Sequence, residues 1–384
     1  MARPQLLSIP ERLDAYPRFT GRGVTIALVD SGFYPHPDLM RPKRRIKAYA
    51  DATRDEAVAD EFFTPRAASW HGTMTACTAA GNGYISGGRY RALAPDAEVV
   101  LIKAMTTEGR IRGKDVAHAI RFPLRYPHLK IRVMNVSLST PKDDPDQADV
   151  ETAVEEVVAA GVTVFAAAGN TPGRPPRPPA SSPLSITVGG LDDKGEREGD
   201  ADASLWPSSY GKIRDGLDKP DLVAPAIWVP APMIPGTLVA REASTLFQLL
   251  SVLEELSVEQ GFSEQKQRAT RDEISSVNGL IQAVSARINR QKYISVDYQH
   301  VDGTSFAAPI AASVAAQMLE ANPALTPAQI REGLLATAAP MPEYPKIQQG
   351  AGLLRPRQAV MWAQQKKEDT SNSTPAAAED ESAD

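Results

Sequence analysis

The chain has 384 residues, a formal net charge of −5, and 42% apolar against 23% charged residues. That balance excludes a wholly disordered chain, a coiled-coil rod and a collagen-like repeat, and it gives no reason to expect a nucleic-acid partner. No apolar run approaches the ~20 residues that a membrane span needs. The single cysteine, Cys77, cannot form an internal disulfide, and the N-terminal residues lack the apolar core of a secretory signal, so a cytoplasmic protein is expected.

Residues 1–20 are polar and proline-bearing and read as an N-terminal extension. Val24-Thr25-Ile26-Ala27-Leu28-Val29 is a short run rich in β-branched residues and bounded by turn residues, which suits a strand buried on both faces. Similar runs recur at Val99 to Ile102, Ile131 to Val136, Val162 to Phe165 and Ser185 to Gly189. Helical stretches, Thr73 to Ala80, Gly113 to Pro123 and Val150 to Ala160, lie between several of them. Strands alternating with helices predict an α/β fold: a doubly wound, mostly parallel sheet with helices on both faces. Between Pro172 and Pro183 prolines recur around Arg174 and Arg177, too densely for a helix, and a stiff surface loop is expected.

Residues 238–293 depart from this rhythm. Leu246, Leu249, Leu253 and Leu256 form one apolar seam, and Ile274, Val277, Ile281, Val284 and Ile288 form another, both at steps of three and four. With a turn at Gln260-Gly261-Phe262-Ser263 they predict an antiparallel helical hairpin inserted into the main domain of residues 21–365. Residues 366–384 lack an apolar period and are expected to be a disordered acidic tail.

Four short motifs carry chemistry-bearing side chains. Asp30 ends the first strand, where open α/β sheets place their ligand crevice. His71 stands in Trp70-His71-Gly72-Thr73, at the start of a helix of small residues. Asn170 follows Ala167-Ala168-Gly169 at the end of another strand, and Ser305, in Gly303-Thr304-Ser305-Phe306-Ala307-Ala308-Pro309, opens an Ala-rich helix. Each has a plainer reading alone: a turn aspartate, a structural histidine, a turn asparagine, a helix N-cap. Gly-Thr-Ser-x-Ala-x-Pro is more specific than a cap requires.

Together, in the order Asp, His, Asn, Ser, they resemble the subtilisin-like serine proteases, the subtilase family, whose chain order differs from that of other triad folds. The resemblance runs from Gly21 to Leu354 with the helical hairpin left out. His36-Pro37-Asp38-Leu39, Ala94-Pro95-Asp96, Asn135-Val136-Ser137-Leu138 and Lys219-Pro220-Asp221 fall in register with it. It implies a serine endopeptidase with Asp30, His71 and Ser305 as a triad and Asn170 as oxyanion donor. Protein or peptide substrates would lie along Ser137-Leu138-Ser139, with Ala167-Ala168-Gly169 opposite. Family members commonly have glycines where Ser139 and Thr140 stand, so a narrowed pocket for small residues is expected. No cofactor is expected. Calcium is a family habit, and Asp38 is the one match to a ligand position, in a chain whose companion loop, Asn82 to Gly88, has no carboxylate. By analogy with intracellular members, Leu6 to Pro10 would cover the cleft. The hairpin is expected to dock a protein partner, self-associate or regulate. The competing reading is a catalytically silent peptide-binding scaffold.

Overall fold

The computed structural model describes residues 6–54, 62–66, 68–197, 202–265 and 271–372. Its centre is a sheet in which β1 (Thr25–Asp30), β2 (Ile46–Asp51), β3 (Glu98–Lys103), β4 (Ile131–Val136), β5 (Thr163–Ala167), β6 (Ile186–Asp192) and β10 (Leu222–Pro225) lie side by side in the order β10-β6-β5-β4-β1-β3-β2. All of these pairings are parallel, and β7 (Ser204–Leu205) adds an antiparallel edge to β6. A small hairpin, β8 (Gly211–Lys212) with β9 (Asp218–Lys219), stands apart, as does the antiparallel pair β11 (Val229–Pro232) and β12 (Tyr298–Val301).

The strands are apolar on both faces because both faces are covered. Ile26 and Leu28 of β1, Val99 and Leu101 of β3 and Val133 of β4 share one core with the helix Ser69–Ala80 and the long helix Thr304–Ala321. The intervening residues, Ala27, Val29, Val100, Ile102 and Met134, share the other with the helices Gly113–Ile120 and Gln147–Ala159. The alternation is the two-residue period of a strand, and it makes the fold the doubly wound α/β type expected. Ten of the helices are α1 (Ile9–Arg12), α2 (Pro37–Met40), α3 (Ser69–Ala80), α4 (Gly113–Ile120), α5 (Gln147–Ala159), α6 (Leu238–Gln265), α7 (Arg271–Arg290), α8 (Thr304–Ala321), α9 (Pro327–Thr337) and α10 (Pro356–Asn372), and single turns of helix stand at Phe122–Arg125 and Lys346–Gln349. No helix among the described residues is long and apolar enough to cross a membrane.

Several segments differ from their sequence reading. Arg12, at the end of the first described helix, is drawn inside to Asp193, donating from Nε at 2.8 Å and again from Nη2, and to the Trp228 carbonyl at 2.7 Å. The turn expected at Gln260 to Ser263 is helical, and α6 runs on to Gln265; a lone glycine costs a helix only ~1 kcal/mol. On α7 the stripe Val277, Ile281, Val284 and Ile288 turns inward, while the side chain of Ile274 lies outside the described residues. On α6 the inward residues are Ala243, Leu246, Phe247, Leu250 and Leu253, whereas Leu249 and Leu256 are 44% and 41% exposed. The buried stripe there admits an alanine and a phenylalanine, so counting leucines alone misplaced it. Finally, α10 carries residues 366–372 as helix, because Ala359, Val360 and Ala363 fasten it to the core. The rest of the acidic tail lies outside the described residues.

Candidate active site

The strand order reverses around β1, with β3 on one side and β4 on the other, and at such a point the carboxyl ends of parallel strands leave a crevice. Asp30 ends β1, Ser137 follows β4, and Ala168 to Asn170 follow β5, so three adjacent strands deliver side chains to one rim. Asp30 is fully buried. Its Oδ1 lies 2.7 Å from His71 Nδ1 and accepts the Ser31 N–H at 2.6 Å, while Oδ2 accepts from Thr75 Oγ1 at 3.0 Å. His71 and Thr75 stand four residues apart on α3, one turn of one face. Gly72 lets that turn press against β1, since a Cβ there would enter the Gly32 carbonyl oxygen and come within 2.9 Å of Asp30 Cβ.

Burial disfavours the His71 imidazolium, but the Asp30 carboxylate beside it outweighs that by charge and by hydrogen bond. The result is a pKa above the ordinary histidine value. Trp70 packs edge-on against the ring at 5.3 Å between centroids, and Phe306, next to Ser305, lies 5.6 Å away. His71 and Ser305 are not hydrogen-bonded to each other here; such bonds are often long until substrate arrives.

Ser305 is the second residue of α8, so its hydroxyl sits among backbone N–H groups that have no partner within the helix. Pro309, four residues on, has no N–H to give the Ser305 carbonyl. Ser137 Oγ donates to that carbonyl instead, at 2.9 Å, and itself accepts from Asn135 Nδ2 at 2.9 Å. Ser137 was expected beside the substrate; its bond to Ser305 is a role that sequence reading missed, although Pro309 was the signal for it.

Asn170 is oriented from its oxygen. Oδ1 accepts from the Thr304 N–H at 3.1 Å and from Thr304 Oγ1 at 2.9 Å, and Thr304 Oγ1 accepts the Gly169 N–H at 3.0 Å. With its carbonyl end committed, the amide presents its two N–H bonds to the remaining space beside Gly303. Thr304 is the second group missed, legible only as the neighbour of Ser305.

Two clefts meet along Ser137-Leu138-Ser139. One, of about 760 Å³, is lined by Ser31, Trp70, His71 and Met105 among others. The other, of about 700 Å³, is lined by Ala167, Ala168, Gly169, Asn170 and Ser305. Neither takes a residue from the N-terminal segment, so Leu6 to Pro10 do not cover the site. Thr140 is fully buried and donates its N–H to the Pro178 carbonyl at 3.0 Å, so it braces the cleft rather than narrowing it. Residues 172–183 are also more than a surface loop: Pro176, Pro178 and Pro179 are buried and Pro175, Pro176 and Arg177 wall the second cleft.

A model of the subtilase family matches residues 21–356. This chain belongs to the subtilase family. Among the relatives of this subtilase, serine protease AprX of Bacillus subtilis (strain 168) is 30% identical over 82% of the chain and 60% of its own length. Subtilisin BL of Lederbergia lenta is 28% identical over 58% of the chain and 70% of its own length. The minor extracellular protease Vpr of Bacillus subtilis (strain 168) is 31% identical over 40% of the chain and 18% of its own length. The subtilase described here thus spans 60% of AprX.

At Asp38, the one match to a calcium-ligand position, both carboxylate oxygens accept hydrogen bonds. Oδ1 accepts the Ile85 N–H at 3.1 Å and Oδ2 accepts from Tyr298 OH at 2.5 Å, so hydrogen bonds tie down the companion loop. His36 and Cys77 lie near that carboxylate. Burial, and then Asp38 itself, push the Cys77 thiol well above its ordinary pKa, and His36 Nδ1 is engaged with the Asp38 N–H at 3.1 Å.

Proposed function

We propose that the chain is a serine endopeptidase that hydrolyses peptide bonds through an acyl-enzyme on Ser305. The observation that carries this reading is the Asp30–His71 pair at 2.7 Å, set at the crevice that also receives Ser305 and an Asn170 held by its oxygen. His71 takes the Ser305 proton as the hydroxyl attacks the scissile carbonyl and returns it to the leaving amine. Asp30 holds the imidazole by Nδ1, so that Nε2 is the nitrogen facing the nucleophile, and it stabilises the imidazolium once formed. The tetrahedral oxyanion is received by Asn170 Nδ2 and the Ser305 N–H at the start of α8. Water then repeats the attack and frees the acid. Substrate lies as an added strand along Ser137 to Ser139, and the side chain preceding the cleaved bond enters the cleft lined by Ala167 to Gly169.

The helical insertion, α6 and α7, is assigned to partner docking, self-association or regulation rather than to chemistry. None of its described residues lines either cleft, and it leaves Leu249, Val252 and Leu256 exposed along one stripe.

A fluorophosphonate serine-hydrolase probe tests the catalytic reading. The wild type should label, Ser305→Ala should not, and peptide hydrolysis should follow the labelling. A folded wild type that neither labels nor cleaves, with or without the insertion, would instead make the chain a peptide-binding scaffold.

A further inference from the structure

The cleft that holds Ser305 and Asn170 is walled on its outer side by cations. Lys142, Arg174 and Arg177 line it, and no Asp or Glu does. None of the three is drawn into an ion pair among the described residues. Of the acids near these residues in sequence, Asp144 and Glu151 are engaged elsewhere. Asp144 accepts the N–H groups of Gly113 and Asp146 at 2.9 Å each, and Glu151 accepts from Ser181 Oγ at 2.6 Å and lies 3.8 Å from Arg214. The cleft thus presents three cations and no carboxylate to whatever enters it.

The backbone bearing these cations is held. Arg177 sits between Pro176 and Pro178, both buried, and the Pro178 carbonyl accepts the Thr140 N–H at 3.0 Å. Arg174 is fastened by its own carbonyl, which accepts the Tyr210 N–H at 3.0 Å. Long flexible side chains thus project from a fixed rim, and guanidinium groups match a carboxylate in two parallel hydrogen bonds.

We infer that this cleft selects peptides with an acidic side chain, Glu or Asp, at the residue whose carbonyl Ser305 attacks, Arg174 and Arg177 being the specificity-determining residues. The inference rests on the peptidase reading above and names its substrate class. A lysine at that position meets three like charges, while an uncharged residue forgoes the pairing. Because the arginines are exposed at the rim, the preference is screened by salt.

The test is a set of peptides identical except for Glu, Gln, Lys or Ala before the cleaved bond, with kcat/KM measured at low and high salt. Wild type, Arg177→Gln, Arg177→Glu and Arg174→Glu are compared, and fluorophosphonate labelling reports that each variant keeps an assembled site. Glu should be preferred over Gln by about tenfold and over Lys by about a hundredfold at low salt, less at high salt. Arg177→Gln should lose most of the Glu-over-Gln preference, and the Glu variants should move the preference toward Lys. Labelling with cleavage indifferent to that charge, or a Glu-to-Lys ratio unchanged by both charge reversals, overturns the selection alone. No labelling and no cleavage across the series overturns the peptidase reading and the selection with it.

Discussion

Gly72 leaves no room for a methyl group between α3 and β1, because the obstacle is the backbone oxygen of Gly32 rather than a movable side chain. Gly72→Ala should therefore shift the turn that carries His71, destabilise the fold by about 1–3 kcal/mol and cut fluorophosphonate labelling, measured side by side with the thermal midpoint. His71 gives a pH signature. A base must be deprotonated, and the Asp30 carboxylate raises its pKa, so kcat/KM should fall as pH drops through a midpoint above the ordinary histidine value of 6.5. Asp30→Asn removes the charge that raises it; the midpoint should move down, and turnover should fall by roughly 10⁴, the size seen for the same change in another triad enzyme. By linkage, the raised pKa also means that the pairing stabilises the fold below the unfolded histidine pKa and that this contribution disappears as pH rises through the folded value. Ser137→Ala would leave the Ser305 carbonyl without the donor that replaces the bond lost to Pro309. A loss of about 1–3 kcal/mol in urea unfolding is expected.

Secondary structure explains why these side chains hold their places. The Arg12 side chain, wholly buried at the end of the single-turn helix α1, reaches Asp193 just after β6 and two carbonyls beyond β10. Arg12→Ala would strand a buried carboxylate, and breaking such a pair typically costs about 3–5 kcal/mol. Denaturant unfolding would measure it, and a change near zero would mean that Asp193 finds water. In the insertion, two adjacent leucines of α6 separate inside from outside: Leu250 is 2% exposed and Leu249 44%. Leu250→Ala should cost about 2–5 kcal/mol and Leu249→Ala within about 0.5 kcal/mol, a contrast that would vanish if the helix were rotated toward the leucine seam.

For the molecule as a whole, the insertion is a side branch of the protease fold. Its ends join β11 to β12, whose antiparallel register from Val229 opposite Val301 to Pro232 opposite Tyr298 is a two-stranded ribbon in its own right. Replacing residues 238–292 by a short Gly-Ser link should therefore keep Ser305 labelling while lowering the thermal midpoint. The inner faces of α6 and α7, with Ala243, Leu250, Val284 and Ile288, share the core that contains Met74 and Phe306. Labelling that appears only after this excision would make the insertion an occluding regulator.

Pattern along the chain was enough for the layers. Apolar runs of β-branched residues exist only where both faces of a strand are covered, so the parallel doubly wound sheet could be read before any contact was known. Motif order was enough to bring Asp30, His71, Asn170 and Ser305 together as candidates, since each stands at a strand end or helix start. What could not be read was anything set by neighbours distant in the chain. The edge strand β2 has a mixed, half-exposed pattern and no apolar run to announce it. The register of α6 depends on what packs against it, and the burial of Arg12 depends on Asp193, 181 residues away. The orientation of Asn170 comes from Thr304, the support of the Ser305 carbonyl from Ser137, and the cationic wall from a proline-rich segment that looks like surface. Local propensity and period are properties of a few consecutive residues; hydrogen-bond partners and the sign of the charge facing a cleft are properties of the folded chain.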